Sequence, residues 1–126
     1  MKKVIHTERA PAAIGPYSQA ILANGFLYTS GQIALNPETT ELETETIERE
    51  MYRVMENLRA VLVAADMDFP HVVKTTIYLS NMSFYAKVNA VYSEYFGTDC
   101  PAREAVQVAG LPKGVNVEIS MVAFKA

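Results

Sequence analysis

Residues 44–79 read TETIEREMYRVMENLRAVLVAADMDFPHVVKTTIYL, and this stretch decides the fold class. Its first part predicts a helix over Glu45–Ala65 with Thr44 as the N-cap. Apolar side chains recur there every three or four positions, at Ile47, Met51, Val54, Leu58, Leu62 and Ala65. The last part, Val72–Leu79, is rich in β-branched residues and predicts a strand. Alternation along this strand places Val73, Thr75, Ile77 and Leu79 on one side, and Val72, Lys74, Thr76 and Tyr78 on the other.

Upstream of this stretch, the dipeptide Asn24-Gly25 is a strong signal for a β-hairpin, because both residues tolerate a positive φ. It separates two predicted strands, Ser18–Ala23 and Phe26–Gln32. The short apolar piece Val4–His6 predicts one further strand. The first quarter of the chain is therefore expected to be β structure.

Downstream of it, helical spacing of apolar residues predicts a second helix over Phe84–Phe96, with Ser83 as the N-cap and Gly97 as a left-handed stop. Two more strands are predicted, Ala102–Val108 and Asn116–Phe124. The order β-β-β-α-β-α-β-β indicates one α+β domain over residues 1–126, in which two helices cover one face of a single mixed sheet. The other face keeps apolar side chains with no third layer to cover it. It is a candidate subunit interface, although sheets also expose one face to water.

Composition argues against several classes of protein. Eleven basic and 14 acidic residues give a net charge of −3 and a pI near 5.3, which argues against a nucleic-acid-binding surface. No apolar run approaches the roughly 20 residues of a membrane helix. The N-terminus lacks a secretory apolar segment and Cys100 is the single cysteine, so we expect a cytoplasmic protein. His6, His71 and Cys100 have no metal-ligand spacing, and no metal site is predicted.

Two charged residues lie within predicted strands. Arg103 lies near the start of the predicted strand Ala102–Val108, just after Pro101, and its planar guanidinium matches a carboxylate with two parallel hydrogen bonds. Its ordinary interpretation is an edge-strand arginine that reaches solvent or pairs with Glu104 or Glu118. Glu118 is a lone acid in the centre of the last strand. It has no special role if it faces outward, and it could orient water or accept a proton if it faces a cleft.

Three more residues lie at the ends of the predicted hairpin. Tyr17 and Ser30 are polar residues of a kind common at strand ends, and Gly31 allows the backbone to approach a ligand. Cys100 follows an aspartate, which does not lower the pKa of a thiol, so it is not expected to be reactive. The residues alone leave the function open.

The chain resembles the Rid (YjgF-like) family of reactive-intermediate deaminases. The resemblance rests on residues 10–20 (APAAIGPYSQA), 28–33 (YTSGQI), 101–103 (PAR), 111–112 (LP) and 117–119 (VEI). Supporting pieces are residues 57–58 (NL), 73–76 (VKTT) and 88–92 (VNAVY). The similarity runs from about residue 5 to residue 123, and so many matches in order are specific to the family.

The resemblance implies a chorismate-mutase-like fold that assembles as a homotrimer, with the sheets forming an inner barrel and ligand clefts between subunits. It implies hydrolysis of 2-imino and enamine acids, such as the tautomers of 2-aminoacrylate and 2-aminocrotonate, to 2-keto acids and ammonia. No metal or organic cofactor is implied, and no nucleic-acid or membrane partner is expected.

The resemblance also implies roles for particular residues. Arg103 would hold the substrate carboxylate and Glu118 would orient or activate water. The backbone near Gly31 or Ala105 would assist Glu118, and Tyr17 and Ser30 would line the cleft and help to transfer a proton. Asn89 would line the cleft or support it, and backbone near Ala105 would contact substrate. Many family members carry a cysteine where this chain has Ala105, which puts thiol-dependent properties in doubt but not hydrolysis by water.

Three alternatives to a deaminase stay open. A sensor that binds a 2-keto acid without turnover would need Arg103 but not water placement by Glu118. A ribonuclease or translation inhibitor, also attributed to this family, is disfavoured by the acidic charge and by the lack of a catalytic histidine pair. A holdase chaperone would suppress aggregation of a heat-denatured client.

Overall fold

The computed structural model describes residues 1–126 and contains six strands and two α-helices. These elements are β1 (Lys3–Ile5), β2 (Ala20–Ala23), β3 (Phe26–Thr29), α1 (Ile47–Ala64), β4 (Val72–Leu79), α2 (Tyr85–Tyr92), β5 (Ala102–Gln107) and β6 (Val117–Phe124). All six strands form one sheet in the order β1-β2-β3-β6-β4-β5. β4 and β5 are parallel, and all other neighbouring strands are antiparallel. The predicted element order and the single mixed sheet are confirmed.

The hairpin forms at the predicted dipeptide. Asn24 and Gly25 both have positive φ, 52° and 84°, and Ala23 pairs with Phe26 across the turn. β3 ends at Thr29, earlier than predicted. Gln32 returns to the sheet as a single bridge to Ile119. Residues 30 and 31 therefore lie between two sheet contacts rather than inside a strand.

The N-cap of α1 is Thr46, so the prediction of Thr44 is wrong. Thr46 has extended backbone, and its Oγ1 accepts a hydrogen bond of 3.0 Å from the backbone N of Arg49. Thr44 and Thr46 are both residues that can cap a helix, and the helix begins at Ile47, two residues later than predicted.

The core lies between α1 and the sheet. α1 buries Met51, Val54, Leu58 and Leu62 completely. These side chains belong to one core cluster with alternate residues of β6, namely Val117, Ile119, Met121 and Ala123. The buried Tyr92 of α2 joins this cluster, and its hydroxyl lies 2.8 Å from that of Thr75 on β4. Both helices therefore cover the same face of the sheet.

α2 is shorter than the predicted Phe84–Phe96. A 3-10 turn, Met82–Phe84, precedes it, and the cap of that turn is Asn81 rather than Ser83. The helix ends at Tyr92, after which the backbone N–H groups of Glu94 and Tyr95 donate to carbonyls three residues earlier instead of four. Gly97 does not have a positive φ, so the predicted left-handed stop is wrong.

β4 has the predicted bounds, Val72–Leu79, but not the predicted faces at its start. A bulge between Val72 and Lys74 shifts the register with β6. Val72 is consequently buried and Val73 exposed, the reverse of the simple alternation. From Thr75 onward the prediction holds, and Thr75, Ile77 and Leu79 face the helices.

The other sheet face has no covering layer and is called the open face below. Strand pairing places five exposed apolar side chains on it: Val4, Phe26, Tyr28, Val106 and Phe124. The architecture is a two-layer α+β fold, as predicted. Neither helix has the length and hydropathy needed to cross a membrane.

Candidate functional site

A cavity of about 490 Å³ opens beside β6 and contains four of the predicted site residues. These are Tyr17, Ser30, Gly31 and Glu118. Its walls also include the apolar side chains of Ile14, Ile33 and Leu35, and Lys113 at one side. We call it the Glu118 cavity. Its size suits a small organic molecule.

Glu118 projects into this cavity from β6. The hydrogen bonds between Gln32 and Ile119 bring residue 31 against the strand, and a Cβ atom on Gly31 would overlap the Glu118 carboxylate. The Glu118 side chain has no ion pair and no hydrogen-bond partner within the chain. Burial raises the pKa of Glu118 above its usual value. The result is a half-buried carboxyl group that faces a cavity and is free to exchange a proton.

Ser30 and Tyr17 form another part of the cavity wall. The Ser30 hydroxyl donates to the Ser18 carbonyl at 2.6 Å, which fixes its oxygen at the cavity edge. Tyr17 is half exposed, and its hydroxyl accepts a long hydrogen bond from the backbone of Ile14. Both side chains thus present a hydroxyl oxygen at the cavity.

Gln19 organises this wall, and the sequence analysis missed it. Its side chain is buried, accepts a hydrogen bond from the backbone N of Thr7 and donates to the carbonyl oxygens of Thr7, Ala10 and Pro11. It therefore holds the segment before Tyr17 against the cavity. Gln19 lies within residues 10–20, one of the segments that carry the family resemblance, and this was a signal of its importance. The sequence does not show, however, that its side chain is buried.

Arg103 lies in a second cavity of about 320 Å³ with Asn89, Tyr92 and Cys100. One terminal nitrogen of Arg103 donates to the Tyr85 hydroxyl at 2.9 Å, and the guanidinium carbon lies 4.9 Å from the centre of the Tyr92 ring. No carboxylate pairs with it, because Glu104 pairs with Lys74 at 2.9 Å instead. Arg103 lies on the edge strand β5 and is partly exposed, and it pairs with neither Glu104 nor Glu118. We call this space the Arg103 cavity.

Asn89 and Ala105 differ in their relation to this cavity. Asn89 lines it, and its buried Oδ1 has no hydrogen-bond partner. Asn89 and Arg103 both lower the pKa of Tyr85 by hydrogen bonding. Ala105 is half-buried and packs against the core, and its side chain lines neither cavity.

Comparison with known proteins decides the family. The sequence model described as Endoribonuclease L-PSP matches residues 7–125. A crystal structure from Yersinia pestis, a protein of unknown function of the conserved Rid family, matches with a TM-score of 0.96 and 48% identity over 99% of this chain and 100% of that one. The chain belongs to the Rid family.

Two further relatives of this Rid chain carry functional names. The human 2-iminobutanoate/2-iminopropanoate deaminase is 43% identical over 99% of this chain and 91% of its own length. The Escherichia coli TdcF structure contains bound serine and matches with a TM-score of 0.92 and 37% identity, over 98% of this chain and 99% of that one. The chorismate-mutase-like α+β fold that the resemblance implied is confirmed.

The Rid chain does not bring Arg103 and Glu118 together within one copy. Arg103 pairs with Thr75, on the face that the helices cover, whereas Glu118 pairs with Tyr78, on the open face. The two cavities share no lining residue. A single site that uses both side chains therefore requires a second copy of the chain.

Proposed function

We propose that this Rid chain hydrolyses 2-imino acids and their enamine tautomers to 2-keto acids and ammonia. The observation that carries the proposal is the free, half-buried Glu118 carboxyl group beside Gly31, in a cavity with two hydroxyl groups. The human relative named as an iminobutanoate and iminopropanoate deaminase supports this reaction class. So does Arg103, a guanidinium with no acidic partner.

The chemistry needs positioning more than a strong nucleophile, because the carbon of a protonated imine is already electrophilic. Arg103 would hold the substrate carboxylate through two parallel hydrogen bonds. Glu118 would take a proton from the attacking water as the new C–O bond forms. Glu118 would then pass this proton to the nitrogen and take up the hydroxyl proton as the C–N bond breaks and the C=O bond forms. The keto acid and ammonia result, and the ammonia would carry the proton away from Glu118 as ammonium. The raised pKa of Glu118 suits both halves of this transfer.

Assembly as a trimer is part of the proposal. Five apolar side chains are exposed on the open face, and a neighbouring copy that packs there would cover them. Such packing would also place the Arg103 of one copy beside the Glu118 cavity of the next, which one chain alone does not achieve. Each of the three clefts would then contain one copy of both side chains.

The experiment that tests this function traps the imine. An amino-acid oxidase generates 2-iminobutyrate in the presence of semicarbazide, and the amount of trapped imine is compared without protein, with wild type and with Arg103→Ala. We expect wild type alone to lower the amount of trapped imine. Circular dichroism and light scattering establish that the variant keeps its fold and assembly. Equal trapping in all three samples, repeated with the aminoacrylate-derived imine, excludes the deaminase.

A binder of small carboxylic acids without turnover is the second candidate. The serine in the structure of E. coli TdcF favours it, because serine carries the same α-carboxylate as an imino acid. The trapping experiment separates the two functions, since a binder would leave the imine intact. A titration with 2-ketobutyrate would then still show binding that Arg103→Ala loses.

A further inference from the structure

A third cavity, of about 460 Å³, lies on the outer side of α1. The segment from Thr7 to Arg9 forms one wall, and Arg53, Ala60 and Val63 of the helix lie beneath it. Arg53 and Ala60 are seven positions apart, and Ala60 and Val63 are three apart. They therefore lie on one face of α1, away from the face that is buried against the sheet. The cavity shares no lining residue with the Glu118 cavity or the Arg103 cavity.

The charge of this cavity is opposite to that of the chain. Three arginines and one glutamate line it, which gives a local charge of +2 on a protein whose net charge is −3. Arg59 is already committed, since it pairs with Glu56 at 2.9 Å and stacks over the rings of Phe69 and Tyr95.

The other two arginines are available to a ligand. Arg53 uses its Nε to bind Glu43 at 3.2 Å, and its two terminal nitrogens make no hydrogen bond. The Arg9 guanidinium makes no hydrogen bond and no ion pair. Glu43 is also shared with Arg49, at 3.1 Å, so one carboxylate serves two arginines. An anion bound in the cavity would accept hydrogen bonds from the guanidinium groups of Arg9 and Arg53.

We propose that this cavity binds a small aliphatic phosphate ester. A guanidinium fork matches the oxygens of a phosphate with parallel hydrogen bonds, and a dianion matches the local charge of +2. Ala60, Ala64 and the exposed Val63 offer an apolar floor to a short carbon chain. No aromatic side chain lines the cavity, so a nucleobase has no stacking surface, and neither a nucleotide nor RNA is the ligand.

Isothermal titration with glycerol 3-phosphate tests the site at low salt. We expect saturable binding to wild type, and binding about tenfold weaker for Arg9→Gln and for Arg53→Gln, because each variant loses charge-assisted hydrogen bonds to the phosphate. Lys87→Gln is the control. It removes an exposed cation of α2 that makes no ion pair and does not line the cavity, so its affinity should equal that of wild type. Glycerol without phosphate should give no binding.

Amide chemical shifts supply a readout that needs no variant. Titrated glycerol 3-phosphate should move the signals of Arg9, Ala60 and Val63 and leave those around Glu118 in place. The proposal is overturned by the absence of saturable binding, by an equal loss in Lys87→Gln, or by shifts confined to the Glu118 cavity. Tighter binding of a 12-nucleotide RNA than of glycerol 3-phosphate would also overturn it. None of these outcomes depends on imine hydrolysis.

Discussion

A Cβ atom on Gly31 would overlap the carboxylate of Glu118, so these residues approach this closely only because residue 31 has no side chain. The backbone of Gly31 is held there by the bridge between Gln32 and Ile119. Gly31 does not have a positive φ. The need for glycine at this position is therefore one of space and not of backbone conformation.

Gly31→Ala should consequently impair activity more than stability. The new methyl group displaces the Glu118 carboxylate, and a displacement of about 1 Å can cost on the order of 100-fold in rate. The trapping assay measures kcat/KM, and urea unfolding measures stability. Gly110→Ala is the control, because a Cβ there meets open space, and it should keep full activity. Full activity in Gly31→Ala would show that the position of Glu118 does not matter.

Glu118→Gln should separate stability from activity. Since burial raises the folded-state pKa of Glu118, the folded protein holds this proton more tightly than the unfolded chain, and the contribution of Glu118 to stability falls as pH rises through the folded-state pKa. Glutamine does not ionise, so the variant does not lose stability as pH rises. We therefore expect Glu118→Gln to melt at a higher temperature than wild type at pH 7. Activity should drop about 100-fold, as for loss of a general base.

The pH profile gives the same assignment a second check. Wild-type kcat/KM should decline toward acid pH, through a pKa above the usual glutamate value, as the Glu118 carboxylate becomes protonated. The residual activity of Glu118→Gln should lack this acid limb. Glu41→Gln, at an exposed loop position, should keep it. An unchanged acid limb in Glu118→Gln would assign the proton transfer to another group.

The sequence predicted secondary structure best where it is determined by residues that are neighbours in the chain. The bounds of β4 and the Asn24-Gly25 turn follow from β-branched residues and from two adjacent residues that tolerate positive φ. The exposure of Val73 did not follow, because the bulge before Lys74 depends on pairing with a distant strand. The end of α2 did not follow either, because apolar residues continue at helical spacing to Phe96, whereas the backbone changes to three-residue hydrogen bonds after Tyr92. The spacing of apolar residues along the chain does not predict such details.

The candidate site was predictable as a set of residues but not as an arrangement. The resemblance named Arg103 and Glu118 together, yet the face on which each lies depends on the register of two strand pairs. A shift of one residue in either register would exchange the faces. The role of Gln19 was equally hidden, because its hydrogen bonds reach carbonyls 8 to 12 positions away.

Arg103→Lys should lose most of the activity. An ammonium group cannot make the two parallel hydrogen bonds of a guanidinium, so we expect a higher KM and a decrease of about 100-fold in kcat/KM. The trapping assay is run at several substrate concentrations to separate KM from kcat. Arg49→Lys, on the exposed side of α1, serves as the control and should match wild type. Near-normal turnover by a folded Arg103→Lys would exclude Arg103 as the carboxylate anchor.

Val106→Glu should break the proposed assembly. Val106 is 44% exposed on the open face, and a buried charge there would oppose contact between copies. Light scattering should give three times the chain mass for wild type and 13.9 kDa for the variant. Val63→Glu, on the outer side of α1, should remain a trimer. Wild type at the mass of a single chain would contradict the assembly directly.

Mixing two inactive variants tests whether one cleft uses two copies of the chain. Arg103→Ala and Glu118→Gln should each be inactive alone, because every cleft lacks one of the two side chains. In mixed trimers, some clefts combine the intact Glu118 of the first variant with the intact Arg103 of the second. Random exchange at equal amounts, after unfolding and refolding together, should restore about a quarter of the wild-type activity in a cyclic trimer.

Separate refolding of each variant, followed by mixing without exchange, is the control and should restore nothing. Recovery would therefore require mixed assemblies rather than simple coexistence of the two proteins. If Arg103 and Glu118 of the same copy formed the site, mixed trimers would contain only defective sites and would stay inactive. Because the strand register places the two side chains on opposite faces of one sheet, recovery is the outcome that this fold predicts.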